Sequence, residues 1–319
     1  MKCKLCTKND ADQSGSHITS AFLLTSQIGK RDNERGFLLT TDPTQDYSEN
    51  KKADDIKEDN IFCRDCEKRL SFIENYYSTE ITQKIEKENF KPNFEEVKTK
   101  NVHYFNCKRI DPIAFHLLIY SNIWRASIST QPIYNHFKLS EKNESELQFL
   151  LDLFLPNTLD HKIQIVLNNW IKSVRDCKNY FTVFPYMILK AENLDNKEQT
   201  YEFFDNLTYN PNHIILNEYV ILSFFEKREW TDDFFQLKDE ISMKDLINDN
   251  TEFCKIGILT NDRFLRIIEM IRNLAVEERL RKLEKNCVLE LAIHGIPINQ
   301  ENVKKLMNIK VNQIKNVVA

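Results

Sequence analysis

An α+β chain, predominantly helical and carrying one small antiparallel sheet, is what the sequence predicts. Three observations carry that prediction. Apolar residues recur at three- and four-residue spacing through most of the length, the period of helices with one buried face. One stretch, about 180–226, is instead rich in β-branched and aromatic residues between Asn, Asp and Pro clusters. Near the start, two Cys-x-x-Cys pairs, Cys3/Cys6 and Cys63/Cys66, flank a long polar segment. With 319 residues the chain has room for two domains. We divide it into 1–100, a metal-binding module with a polar insertion, and 101–319, a mostly helical domain with the inserted sheet.

Each element follows from local pattern. Leu70, Ile73, Tyr76, Tyr77 and Ile81 predict an amphipathic helix over Asp65 to Lys87. The segment from Lys30 to Asn60 is polar and is expected as a long loop, and a proline-bearing charged link closes the first unit near residue 100. Asp111-Pro112 reads as an N-cap followed by proline in the first turn. The helix behind it is hydrophobic on nearly every side, which places it in the core. Ser140 or Ser145 opens another helix that Pro156 stops, and Lys162 to Val174 makes a third. Strands are expected at Tyr180–Phe184, Tyr186–Leu189, Thr200–Phe204 and Ile214–Phe225. Helices follow from Asn261 to about Leu291 and from Asn299 onward, broken at Gly295-Ile296-Pro297.

Composition excludes several classes. Hydrophobic residues at 41% and charged residues at 29% supply a real core, so wholesale disorder is excluded. With 5 glycines and neither a GxGxxG nor a GxxxxGK[ST] motif, no nucleotide cofactor is expected. Apolar runs fall well short of a membrane span. No apolar segment follows Met1-Lys2-Cys3, so the cytoplasm is the expected compartment and no membrane partner is expected. The formal net charge is −4, so any nucleic-acid contact must come from a local basic patch. The last sixty residues are the best candidate, with 11 Lys and Arg against 7 Asp and Glu. Solvated helix faces give the same pattern.

The eight cysteines divide into two groups. Cys107, Cys177, Cys254 and Cys287 are scattered singly and are expected as buried residues. Cys3, Cys6, Cys63 and Cys66 have the spacing of one tetrahedral zinc site, in which each two-residue gap lets both thiolates of a knuckle face the same ion. The structural Zn²⁺ would close a loop of 56 residues between Cys6 and Cys63.

Ser16-His17-Ile18 lies ten residues after the first knuckle, and the second, Cys63-Arg64-Asp65-Cys66, runs into Glu67 at a helix start. A knuckle, a central histidine and a knuckle feeding a helix resemble a treble-clef zinc finger, and more closely the Cys₄-stabilised HNH (ββα-metal) endonucleases. The resemblance covers about residues 1–80. It implies a metal-dependent endonuclease acting on nucleic acid, with His17 as general base and Glu67 as ligand to a catalytic Mg²⁺ or Mn²⁺. Glu74, seven residues on, is a second candidate carboxylate. It also implies a place in a bacterial defence system, with a protein partner from the same operon. The sequence departs from the pattern at Ser16, where an acidic residue is usual, at Thr19-Ser20, and at Glu67 in place of His or Asn. The middle Asn has only a displaced candidate, Asn60. These departures keep a second reading open: a non-catalytic zinc-binding adaptor for protein or nucleic acid, with His17 bonded to backbone and Glu67 and Glu74 merely solvated. His116 is expected against Tyr120 in the core, and Arg125 is expected to pair with a carboxylate or contact phosphate.

Overall fold

The computed structural model describes residues 1–20, 36–38, 51–52, 57–82, 84–85, 87–100, 102–131, 134, 137–157, 163–192, 201–206, 212–216, 218–225 and 243–318. Its strands are β1 (Ser16–His17), β2 (Gly36–Leu38), β3 (Lys51–Lys52), β4 (Lys57–Glu58), β5 (Phe94–Lys98), β6 (His103–Cys107), β7 (Tyr186–Ala191), β8 (Tyr201–Asn206), β9 (Asn212–Leu216), β10 (Tyr219–Ser223) and β11 (Lys255–Leu259). Its α-helices are α1 (Arg64–Tyr77), α2 (Pro112–Ile128), α3 (Glu141–Phe154), α4 (Ile163–Asp176), α5 (Asn261–Ile293) and α6 (Gln300–Val318).

The chain is mixed α/β, and here the expectation of a small antiparallel sheet is corrected. Nine strands line up in the order β3-β2-β8-β9-β10-β7-β11-β6-β5, with β7/β11 and β2/β8 parallel and the other neighbours antiparallel. The predicted region supplies only β7 to β10. The remaining strands come from segments far away in sequence: β5 and β6 carry charged or half-exposed residues with little strand signal, and β11 is a short buried apolar run. Phe94-Glu95-Glu96-Val97-Lys98 is an edge strand that pairs residue for residue with β6. Two strands of the sheet, β2 and β3, arise inside the polar segment read as loop. Much of that segment lies outside the described residues. Tyr180–Phe184 is not a strand: Lys178–Tyr180 forms a short 3-10 turn, and pairing begins at Tyr186, after Pro185.

β7 is buried at every position because both faces of the sheet are covered. Met187, Leu189 and Ala191 face α5, where Phe264, Ile267, Ile268 and Ile271 meet them. Tyr186 and Ile188 face the larger core built on α2. That helix is buried from Ile113 to Ser127, and Asp111 caps it by accepting from the Ile113 and Ala114 amides at 3.1 and 3.3 Å. Ser140 caps α3 by accepting from the Asn143 amide at 3.2 Å. The larger core runs without a break from Cys3 to Ile258. The position expected as a boundary, near residue 100, falls between the paired strands β5 and β6. No helix among the described residues is long and apolar enough to cross a membrane.

Candidate metal centre and the adjoining polar cluster

The N-terminal thirteen residues fold back on the segment before α1. The Lys4 amide donates to Ile61 O at 2.9 Å, Asp12 and Gln13 both donate to Phe62 O, and the Asn60 amide donates to Gln13 O at 2.7 Å. The first knuckle closes through Thr7 N–H to Cys3 O at 2.9 Å, with Thr7 in the left-handed region at φ 57°. Asn60 turns the chain into the second knuckle at φ 59°, a conformation asparagine tolerates better than most residues. This turn is the role the structure gives the displaced Asn candidate. The second knuckle is the first turn of α1, so Cys66 and Glu67 are fixed by helix geometry.

As a result Cys3, Cys6, Cys63 and Cys66 converge, with their sulfurs all within 4.8 Å of one another, and could hold a metal ion. A tetrahedral Zn–S₄ centre has sulfurs about 3.8 Å apart, given bonds of about 2.3 Å. The Cys6–Cys63 separation of 3.9 Å fits this, and it is far too long for a disulfide. Asn9 Nδ2 donates to Cys63 Sγ at 3.6 Å and Arg69 Nη1 to Cys66 Sγ at 3.9 Å, the donor shell that thiolate charge needs. Arg69 also donates to Asp152 Oδ1 at 2.7 Å, and Gln148 Nε2 donates to the Lys4 and Leu5 carbonyls, so the centre is seated on α3. Without a cation the sulfurs share protons unequally. The hydrogen bond with Cys66 pulls the Cys3 thiol down to about 4. The same contact, reinforced by burial, drives Cys66 far up, and burial raises Cys63. A divalent cation replaces those protons and removes the conflict.

Glu67 adjoins this centre as the residue after Cys66, and His17 follows Ser16, whose hydroxyl bonds Glu67. β1 and β4 form a two-stranded antiparallel sheet in which Ser16 opposes Glu58 and His17 opposes Lys57. Glu58 fixes this sheet to the end of α2 by accepting from the Ser129 and Thr130 hydroxyls, each at 2.7 Å. Ser16 Oγ donates to Glu67 Oε2 at 2.9 Å, joining the sheet to α1. Burial raises the Glu67 carboxyl above its ordinary range, against the Ser16 hydrogen bond and the fields of Arg125 and His17, which lower it.

Glu74 is engaged differently. Arg125, 2% exposed, donates from Nη2 to Glu74 Oε1 at 2.7 Å and to Ser20 Oγ at 3.0 Å, and from Nη1 to His17 O at 2.9 Å. Ser20 Oγ donates to Glu74 Oε1 at 3.0 Å, and the Ser20 amide donates to Asn122 Oδ1 at 2.9 Å. Of the two expectations for Arg125, the structure gives the carboxylate. Ser20 and Asn122 had no signal in the sequence: two isolated polar residues 102 positions apart meet only in the fold. Among the described residues the four cysteines are the one group of three or more His, Cys, Asp or Glu donors close enough for a single ion. His17, Glu67 and Glu74 do not form such a group.

The other candidates fall into place individually. His116 stacks on Tyr120 with centroids 5.8 Å apart, as expected, and its Nε2 lies 2.9 Å from Asn250 O. Burial pushes its pKa down to about 4. Cys107, Cys254 and Cys287 are buried; Cys177 is exposed, a correction explained by its place just past the end of α4. On the C-terminal helices part of the positive charge is paired locally, Lys310 with Glu290 and Arg281 with Glu277.

No protein-family model matches the chain, and neither a curated protein nor a solved structure matches it.

Proposed function

We propose that the chain is a metal-dependent nucleic-acid endonuclease of HNH-like type, in which residues 1–100 supply a zinc-stabilised catalytic module and residues 101–319 the body that seats it. The observation that supports this reading is the hydrogen bond from Ser16 Oγ to Glu67 Oε2 at 2.9 Å, which ties the residue before His17 to the carboxyl that follows the second knuckle. That contact joins the β1/β4 ladder to the first turn of α1, in which Cys66 belongs to the Cys₄ cluster.

In this reading His17 takes the proton of the attacking water. Ser16 orients Glu67 through Oε2, leaving Oε1 with no hydrogen-bond partner among the described residues. That oxygen is the one for a divalent cation. When bound, the cation supplies charge stabilisation at the phosphate and leaving oxygen. Mg²⁺ is commonly held by one or two carboxylates with waters and substrate phosphates completing its shell, so one protein carboxylate is enough. Glu74, held by Arg125 and Ser20, serves the scaffold rather than the cation. Lys57, exposed and paired with His17 across the two-stranded sheet, is the side chain for a phosphate in this reading.

The test is cleavage of single- and double-stranded DNA and RNA with Mg²⁺ or Mn²⁺ by the full chain. Loss of roughly 100-fold or more in rate is expected for His17→Ala and for Glu67→Gln, the usual scale for a general base. Equal cleavage by wild type and His17→Ala removes the assigned base. The second reading, a zinc-binding adaptor, is favoured by one observation: among the described residues only the cysteines converge as a multidentate group. Nucleic-acid or protein binding without cleavage under any cation would select it. The bacterial-defence setting rests on the motif resemblance alone.

A further inference from the structure

A half-open cavity of about 420 Å³ lies on the sheet face opposite α5, away from the cysteines. Its floor is apolar and aromatic: Phe94 and Phe105, with ring centroids 6.3 Å apart, and Ile258. Ile85 forms one wall, on the chain segment that runs on from α1. Into this apolar lining the fold sets a lysine. Lys190 stands beside Ile258 in the β7/β11 ladder and is 5% exposed. Its Nζ lies 3.6 Å from Glu218 Oε2, 3.3 Å from Ala191 O and 5.9 Å from the centre of the Tyr219 ring.

The Lys190 ammonium is ion-paired with Glu218, and the side chain also lines the cavity. Lys91 adds a second cation to the lining. Of the two carboxylates present, Glu96 is taken by His103 Nε2 at 2.8 Å, and Glu192 is an acceptor for a ligand N–H or O–H. The volume and the mix of aromatic walls with a few polar groups are those of small-molecule sites.

We propose that this cavity binds a small planar anion: an aromatic or heteroaromatic ring bearing one phosphate or carboxylate. The ring rests on Phe94 and Phe105, and the anionic group faces Lys190 and Lys91. The proposal is independent of nuclease activity.

Calorimetric titration of the full chain tests it, with nucleoside 5′-monophosphates as the phosphate arm and salicylate and anthranilate as the carboxylate arm. Inorganic phosphate and uncharged nucleosides are the controls. One-to-one binding is expected for at least one ring-bearing anion, tenfold or more tighter than for inorganic phosphate or the matching uncharged ring. Lys190→Met should weaken it at least tenfold; should that variant fail to fold, Lys91→Ala and Phe105→Leu carry the same expectation at the rim and floor. His17→Ala should bind as wild type does, which separates this site from the proposed nuclease centre. The proposal is overturned by no binding in either arm, by inorganic phosphate binding as tightly as any ring-bearing anion, or by undiminished affinity in the folded cavity variants.

Discussion

Arg125 donates from Nη1 to the carbonyl oxygen of His17 at 2.9 Å, across 108 positions of sequence. A guanidinium on the most buried helix thus holds the backbone of the strand that bears the candidate base. The same group is paired with Glu74, and both side chains are largely out of water.

Removing one partner of such a pair leaves the other charged and buried. Arg125→Met should therefore destabilise the fold by about 3–5 kcal/mol. The double variant Arg125→Met/Glu74→Gln should recover a good part of the loss, because no uncompensated charge is left. Urea unfolding of the two variants checks this; a double variant no more stable than the single one contradicts it.

A metal ion held by Cys3, Cys6, Cys63 and Cys66 would make stability depend on metal. Purified protein should contain one equivalent of zinc, read by elemental analysis, and a strong chelator should lower the unfolding midpoint. Cys66→Ser should lose both the zinc and the chelator response. Because thiolates bind the ion and protons compete for them, affinity should fall as the pH is lowered.

His116 predicts an acid-labile step elsewhere in the core. Its folded pKa, about 4, lies below the ordinary 6.5, so the fold favours the neutral ring. That contribution is complete above 6.5 and is lost as pH falls towards 4. Wild type should lose about 2 kcal/mol between pH 7 and 5 from this group, by linkage. His116→Phe gives up the hydrogen bond to Asn250 O but should show a flatter pH profile over that interval, measured by urea unfolding.

Gly257 sits in β11, and a Cβ there would lie 2.9 Å from both Leu189 Cδ2 and Leu246 Cδ1 and 3.4 Å from Ile188 O. Two side chains would have to give way in a filled core, so Gly257→Ala should cost about 1–3 kcal/mol. Thermal unfolding reads this directly, and an unchanged midpoint would mean that both leucines repack freely.

Most helices were legible in the sequence because their signals are local. Asp111-Pro112 and Ser140 announce their caps, and the spacing Phe264, Ile267, Ile268, Ile271 announces the face that α5 turns to the sheet. The predicted helix Asp65 to Lys87 ended early, at Tyr77, where a π-turn over Ser78–Thr82 takes over. Side-chain period alone does not distinguish that change of winding. β5 and β6 were missed because their charged or half-exposed residues carry a pattern that periodicity cannot separate from loop, and β11, though buried, is a five-residue apolar run too short to be told from a helix segment by period alone.

By itself, the sequence determined the Cys₄ set, because the geometry of a knuckle is written in a two-residue gap, and it determined the buried character of α2, because no other place suits so apolar a helix. Only the tertiary structure decided what lies next to what. It put Arg125 on Glu74 and His17, Ser16 on Glu67, and Lys190 against a cavity, since hydrogen bonds and ion pairs between residues a hundred positions apart depend on how the layers stack, which no local pattern encodes.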